Sequence, residues 1–169
     1  MSRRGTSATR REILPDSKYN NVRVAKFINK VMYEGKKSLA EKLVYGAFNL
    51  IEQKYKMNGF ETFVSAIENL RPDKQLKSVR IGGSNYQVPE ACDVHRSENL
   101  AYKWLIMSMR SRSERSSIEK LAAEIFDIFN KRGSAIKKRD DNHKMAEANK
   151  AYSHYSPRKA APPGAQQTS

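Results

Sequence analysis

From Asn21 the apolar residues Val24, Phe27, Ile28, Val31 and Met32 recur at i, i+3, i+4, i+7 and i+8. That is the single stripe of an amphipathic helix, and Gly35 is placed to end it in a left-handed conformation. A second helix is expected to open at Ser38, with Glu41 three residues on as a capping box, and to bury Leu39, Leu43, Val44, Ala47, Leu50 and Ile51. Asn58-Gly59 marks a turn, and Asn58 with Glu61 caps a third stripe of Phe60, Phe63, Val64, Ile67 and Leu70 that Pro72 stops. The period then shortens to about two. Val79-Arg80-Ile81 and Tyr86-Gln87-Val88 flank Gly82-Gly83-Ser84-Asn85, which predicts a β-hairpin over about 74–92, with Pro89 confined to an edge or an ending. Helical spacing resumes with Leu100, Ala101, Trp104, Leu105 and Met109, until RSRSERSS interrupts it. Ser116 and Glu119 cap a fifth helix that turns Ile118, Leu121, Ala122, Ile125 and Ile128 inward and ends at Gly133 after Lys131 and Arg132. A sixth segment, SAIKKRDDNHKMAEANKAYSHY, offers only Ile136, Met145, Ala148 and Tyr152 and is too polar for a core. The predicted fold is mostly α: five to six helices in a bundle, with a protruding β-hairpin inserted between helices three and four. Residues 1–155 form one domain, and PRKAAPPGAQQTS leads the 156–169 tail to be read as disordered.

Charge changes this picture from a fold to a binding surface. The 169-residue chain has a formal net charge of +14, a pI near 9.9 and a mean hydropathy of -0.77. Such a one-signed surface repels itself, and a polyanion relieves the repulsion. The excess gathers at both ends, on the hairpin and in the Ser/Arg-rich connector that holds Arg110, Arg112 and Arg115. Across 116–133, by contrast, Lys120, Lys131 and Arg132 balance Glu119, Glu124 and Asp127. A neutral core helix with basic appendages reaching outward is the expectation. No segment approaches the ~20 apolar residues that span a bilayer, so no membrane partner is expected. The N-terminus lacks the apolar stretch of a secretory signal, and Glu12 and Asp16 argue against a transit peptide. The single cysteine, Cys92, fits a reducing compartment such as the cytoplasm.

Catalytic constellations are missing. Cys92 and His95 provide two potential metal ligands without a second pair, so a free thiol and a surface imidazole are the better reading. IGGSN lacks the spacing and the Lys-Ser/Thr ending of a nucleotide loop. Asp140-Asp141 lies among Lys137, Lys138 and Lys144, where helical ion pairs outweigh a metal-dependent nuclease centre. No enzyme activity, cofactor or small-molecule substrate is implied. The hairpin is marginal alone and carries Lys74, Lys77 and Arg80, which points to phosphate contact. Tyr86 is left open between stacking on a base and cross-strand packing.

Several stretches in order, EGKKSLAEKLVYGA (34–47), ENLRP (68–72), VRIGGSNYQVP (79–89), LAYKW (100–104) and RGSAIKKRDDNHKMAEANKAYSHY (132–155), resemble bacterial-type ribosomal protein seven of the small subunit. ILPDSKY (13–19) and the Arg-rich start are similar as well, so the likeness covers roughly residues 1 to 155. The resemblance implies a helical domain with a projecting hairpin. It implies a primary binder of small-subunit ribosomal RNA that nucleates assembly of the three-prime (head) domain. It also implies a place at the subunit interface near the exit-site tRNA and the mRNA exit channel, beside small-subunit protein eleven, in a bacterial cytoplasm or an organelle. Arg3, Arg4, Arg10 and Arg11 would form an RNA-threading arm. Lys36 and Lys37 match a Gly-Lys-Lys motif, and Arg71 an Arg-Pro. Arg80 and Tyr86 fall on the hairpin, while Lys137, Lys138, Arg139, His143, Lys144 and Lys150 fall on the last helix. With Lys74, Lys77, Arg96, Arg110, Arg112 and Arg115 these are the expected RNA-binding residues. Two departures stand out: His95-Arg96-Ser97-Glu98 is less basic than is usual there, and so is the Val79 side of the hairpin. The rival reading is a free-standing basic regulator of RNA or DNA, for which a dimer interface and a palindromic site would be expected.

Overall fold

The computed structural model describes residues 12–155; Arg3, Arg4, Arg10, Arg11 and the 156–169 tail lie outside the described residues. In chain order the elements are α1 (Val22–Val31), α2 (Lys37–Tyr55), α3 (Gly59–Leu70), β1 (Lys74–Ile81), β2 (Ser84–Ala91), α4 (Val94–Ser111), α5 (Ser117–Phe129) and α6 (Ser134–Ala148). A 3-10 segment, Lys150–Tyr155, follows α6. The architecture is the expected helical bundle with an antiparallel hairpin between helices three and four.

Helix α5 organises the core, packing against α2, α3 and α4. Its Leu121, Ala122, Ile125 and Ile128 are fully buried; Glu119, Glu124 and Asp127 outnumber Lys120 within the helix, and Lys131 and Arg132 just beyond its end balance them. The aromatic centre joins Phe27, Phe48, Phe63 and Tyr102, with Phe27 and Phe63 ring centroids 5.0 Å apart. The Tyr102 hydroxyl donates to the Arg23 carbonyl at 3.3 Å, tying α4 to α1. Near the N-terminus the buried Asp16 carboxylate accepts from the Tyr45 hydroxyl at 2.6 Å and from the Lys18 and Tyr19 amides, pinning the entering chain to α2. Burial and that carboxylate push the Tyr45 hydroxyl up to about 12.

The caps expected at Asn58 and Ser116 are both formed. Asn58 Oδ1 accepts from the Phe60 and Glu61 amides, and Ser116 with Glu119 makes a capping box. Several boundaries differ from expectation. α1 ends at Val31 because Met32 turns to extended backbone, so Gly35 sits in the following loop and does not cap the helix. α2 opens one residue before Ser38, with Lys36 at the N-cap and no side-chain cap, because the left-handed Glu34-Gly35 pair already redirects the chain there. Its buried stripe is Ala40, Val44, Ala47, Phe48 and Ile51. Leu39 is consequently left exposed, and Leu43 and Leu50 lie at the margin of the core.

At the end of α5 the left-handed residue is Lys131, whose amide donates to Ile128 O at 2.9 Å. Gly133 instead precedes α6 at φ +97°, a conformation that favours glycine. The sixth helix stops at Ala148, short of the expected 155, and it buries Ala135, Ile136 and Ala146 while Met145 is exposed. The hairpin loop is tighter than expected. Gly82 and Gly83 alone form it, at φ +56° and +90°, as a two-residue turn matching the strands' right-handed twist requires. Ser84 and Asn85 are strand residues.

Candidate nucleic-acid interface

Strand periodicity gives the hairpin two unlike faces. The register pairs Val79 with Tyr86 and Lys77 with Val88, placing these on one face, with Gln75, Ile81 and Glu90. Lys74, Leu76, Ser78 and Arg80 share the other face with Asn85, Gln87, Pro89 and Ala91. Thus Lys74 and Arg80 lie together and exposed, whereas Lys77 is opposite them, 3.6 Å from Glu90. The Tyr86 ring packs on Tyr152 and Tyr155 of the 3-10 segment, with centroids 5.2 and 6.1 Å away. This apolar face is covered by the protein's own C-terminal segment, which accounts for its low charge around Val79.

The hairpin is fastened to α6 and α4 at its base. Asn142 Nδ2 donates to Lys74 O at 2.7 Å, and the Asp73 amide donates to His143 Nε2 at 3.3 Å. Arg96 Nε reaches Gln75 Oε1 at 3.1 Å. The Arg139 guanidinium bonds the Asn69 carbonyl and the neighbouring Asp140, docking α6 on the end of α3. Hairpin, α6 and 3-10 segment therefore make one module. Its outward basic residues away from the covered face are Lys74, Arg80, Lys137, Lys144 and Lys150, all exposed, with Lys138 half-buried; Asp141 and Glu147 of α6 are exposed among them.

Other expected residues lie elsewhere. Lys36 and Lys37 stand at the start of α2, exposed, 2.7 Å from Glu34 and 3.8 Å from Glu41 respectively. Arg110 is exposed in the last turn of α4 and Arg115 in the connector that follows. Arg112 between them turns inward and pairs with Glu114 at 2.8 Å, Glu124 at 2.7 Å and Asp127 at 2.8 Å. Burial opposes its charge, but these carboxylates outweigh that and hold its pKa above the usual arginine value. Arg71 is likewise engaged, bonding Glu68 at 2.9 Å and Ser97 Oγ at 3.2 Å. For Glu68, partial burial favours protonation, yet Arg23 and Arg71 prevail and lower its pKa. Arg71, Arg112 and Arg139 are thus internal clamps in this fold.

Sequence reasoning passed over Lys26 and Lys30. Their i,i+4 spacing on the polar side of α1 was the available signal; the cleft they border, formed with α4, was not legible in one dimension. Among the described residues no group of three His, Cys, Asp or Glu is disposed to hold a metal, and no helix is long and apolar enough to cross a membrane.

Comparison with known proteins shows what the whole chain is similar to. A family model described as "Ribosomal protein S7p/S5e" matches residues 2–150. Relatives named "Small ribosomal subunit protein uS7", from Rickettsia massiliae (strain Mtu5) and Rickettsia felis, are each 54% identical over 159 residues. The alignments cover 94% of this chain and 99% of each relative. The protein of that name from Rickettsia akari is 53% identical over the same length.

Proposed function

The chain belongs to the ribosomal protein S7p/S5e family, and we propose on that premise that it is a primary ribosomal-RNA-binding protein nucleating the head of the small subunit. Membership makes it a structural, non-enzymatic constituent of the small ribosomal subunit, bound to ribosomal RNA and serving translation. The finer reading concerns where and how it binds. The observation that carries it is the segregation of charge: a core helix α5 with no basic excess inside, and the exposed Lys74, Arg80, Lys137, Lys144 and Lys150 on one hairpin–α6 module.

In this reading the module, with Lys36, Lys37, Arg110 and Arg115, contacts phosphates of the three-prime domain, and Arg3, Arg4, Arg10 and Arg11 continue the contact. Phosphate contacts supply most of the affinity and the shape of the RNA most of the specificity, because the A-form major groove is too deep and narrow to be read. The Lys74/Arg80 face of the hairpin points toward the exit-site tRNA and the mRNA exit path, and small-subunit protein eleven is the protein neighbour. Arg71, Arg112 and Arg139 position these elements. Lys77, Arg96 and His143 fix the hairpin's base and inner face.

Sedimentation of cell extract through a gradient tests the reading. The protein is expected in the small-subunit fractions, with the RNA it protects from hydroxyl radicals confined to the three-prime domain. Protein remaining at the top of the gradient, or protection elsewhere in the RNA, contradicts it.

A further inference from the structure

A second site lies where α1 meets α4. A cleft of about 400 Å³ is walled by Lys26, Asn29 and Lys30 of α1 and by His95, Glu98 and Asn99 of α4, with Ile13 and Val22 also in its lining. Both walls are rigid: the Phe27 and Tyr102 rings pack 5.5 Å apart behind them, and the Tyr102 hydroxyl bonds α1. Glu98 is buried and its carboxylate is answered twice, by Arg23 at 3.3 Å and Lys26 at 3.4 Å. Lys30 adds a further positive charge at the cleft and forms no ion pair among the described residues. The site is therefore positive overall, yet Ile13 and Val22 leave about two-fifths of their surface open beside it. Asn29 and Asn99 present side-chain amides; Asn99 Nδ2 donates to His95 O at 2.8 Å, which leaves its Oδ1 available as an acceptor.

Positive side chains, an apolar patch and an amide from each helix suit a nucleotide, with phosphate on the lysines, base against the aliphatic side chains, and base edge read by the amides. Single-stranded segments are recognised by such splaying-out of bases, and the volume falls in the ~300–1,000 Å³ range of small-ligand sites. The chain's own residues 1–11, with four arginines and no carboxylate, are the wrong sign for this cleft. We propose that the α1/α4 cleft receives one unstacked nucleotide of the bound ribosomal RNA. The proposal rests on the RNA-binding reading above and adds a base-reading site to the phosphate-contact surface.

The test measures binding of the full chain to a three-prime-domain RNA fragment over a series of salt concentrations. Asn29→Ala/Asn99→Ala is expected to weaken binding about tenfold, the scale of losing amide contacts to one base, with the salt slope unchanged. Lys30→Ala is expected to reduce the slope by about 0.7–0.9, one phosphate. All these side chains are exposed, and a wild-type thermal melt confirms that each variant folds. Wild-type affinity in the double-asparagine variant overturns the proposal while leaving the RNA-binding reading intact; absence of wild-type binding defeats that reading instead. A nucleoside monophosphate that competes with the RNA for wild type, and no longer competes for the double variant, supports the assignment of a nucleotide to the cleft. If the double variant binds RNA normally but loses another ribosomal protein, the cleft is a protein dock and the proposal falls.

Discussion

Arg112 faces three carboxylates, and the most demanding is Glu124, whose residue is fully buried. Removing the guanidinium leaves that carboxylate buried without its cation, so Arg112→Met is expected to lose about 3 kcal/mol in urea unfolding. Its RNA salt slope should match wild type, because an inward-facing arginine releases no counterions; a reduced slope would return Arg112 to the interface. Acid offers a second residue-scale test. Glu68 is held below its ordinary 4.5 by Arg23 and Arg71 against partial burial, and Glu114 by its bond to Arg112. A depressed carboxylate contributes stability above its unfolded pKa and loses it as pH falls through the folded value. The urea midpoint should therefore decline below about pH 4.5, less steeply in Glu68→Gln. An equally steep decline in the variant would remove Glu68 from the account.

Among the elements, the hairpin depends most on its neighbours, since two strands alone are marginal in water. Tyr152 and Tyr155 cover Tyr86, and aromatic pairs contribute roughly 0.5–1.5 kcal/mol each. Replacing both with alanine should speed amide exchange across β2 about tenfold while α2 and α5 stay as slow as before. Unchanged exchange would mean the 3-10 segment is no brace. This element also shows the reach of sequence reasoning. The alternation around Val79 and Tyr86 located the strands because it reflects a local period, and the Ser116–Glu119 box did the same for α5. The covering of Tyr86 joins residues 66 or more apart and leaves no local trace. The same limit explains Arg112: an arginine in a Ser/Arg-rich connector has the local sequence of a phosphate contact, and only the packing of α5 turns it inward. Leu39 failed for a subtler reason. With Leu43 and Leu50 it lies on the flank of the Ala40, Val44, Ala47, Phe48 and Ile51 stripe, and in the first turn of α2 that flank is open to water.

For the whole molecule, a formal +14 concentrated outside the core helix α5 is an arrangement for holding RNA, and the family relationship makes it a small-subunit structural protein. The core is mainly apolar and aromatic and uses only a few of these charges, Arg112 against the buried Glu124 and Arg23 with Lys26 against the buried Glu98. The central claim is that exposed basic residues on a rigid scaffold neutralise ribosomal RNA phosphates. It is tested most directly by the salt dependence of wild-type binding to the three-prime-domain fragment. If Lys74, Arg80, Lys137, Lys144 and Lys150 each neutralise one phosphate, log K should fall linearly against log salt with a slope of about -3.5 or steeper. An affinity that barely changes with salt would contradict the account.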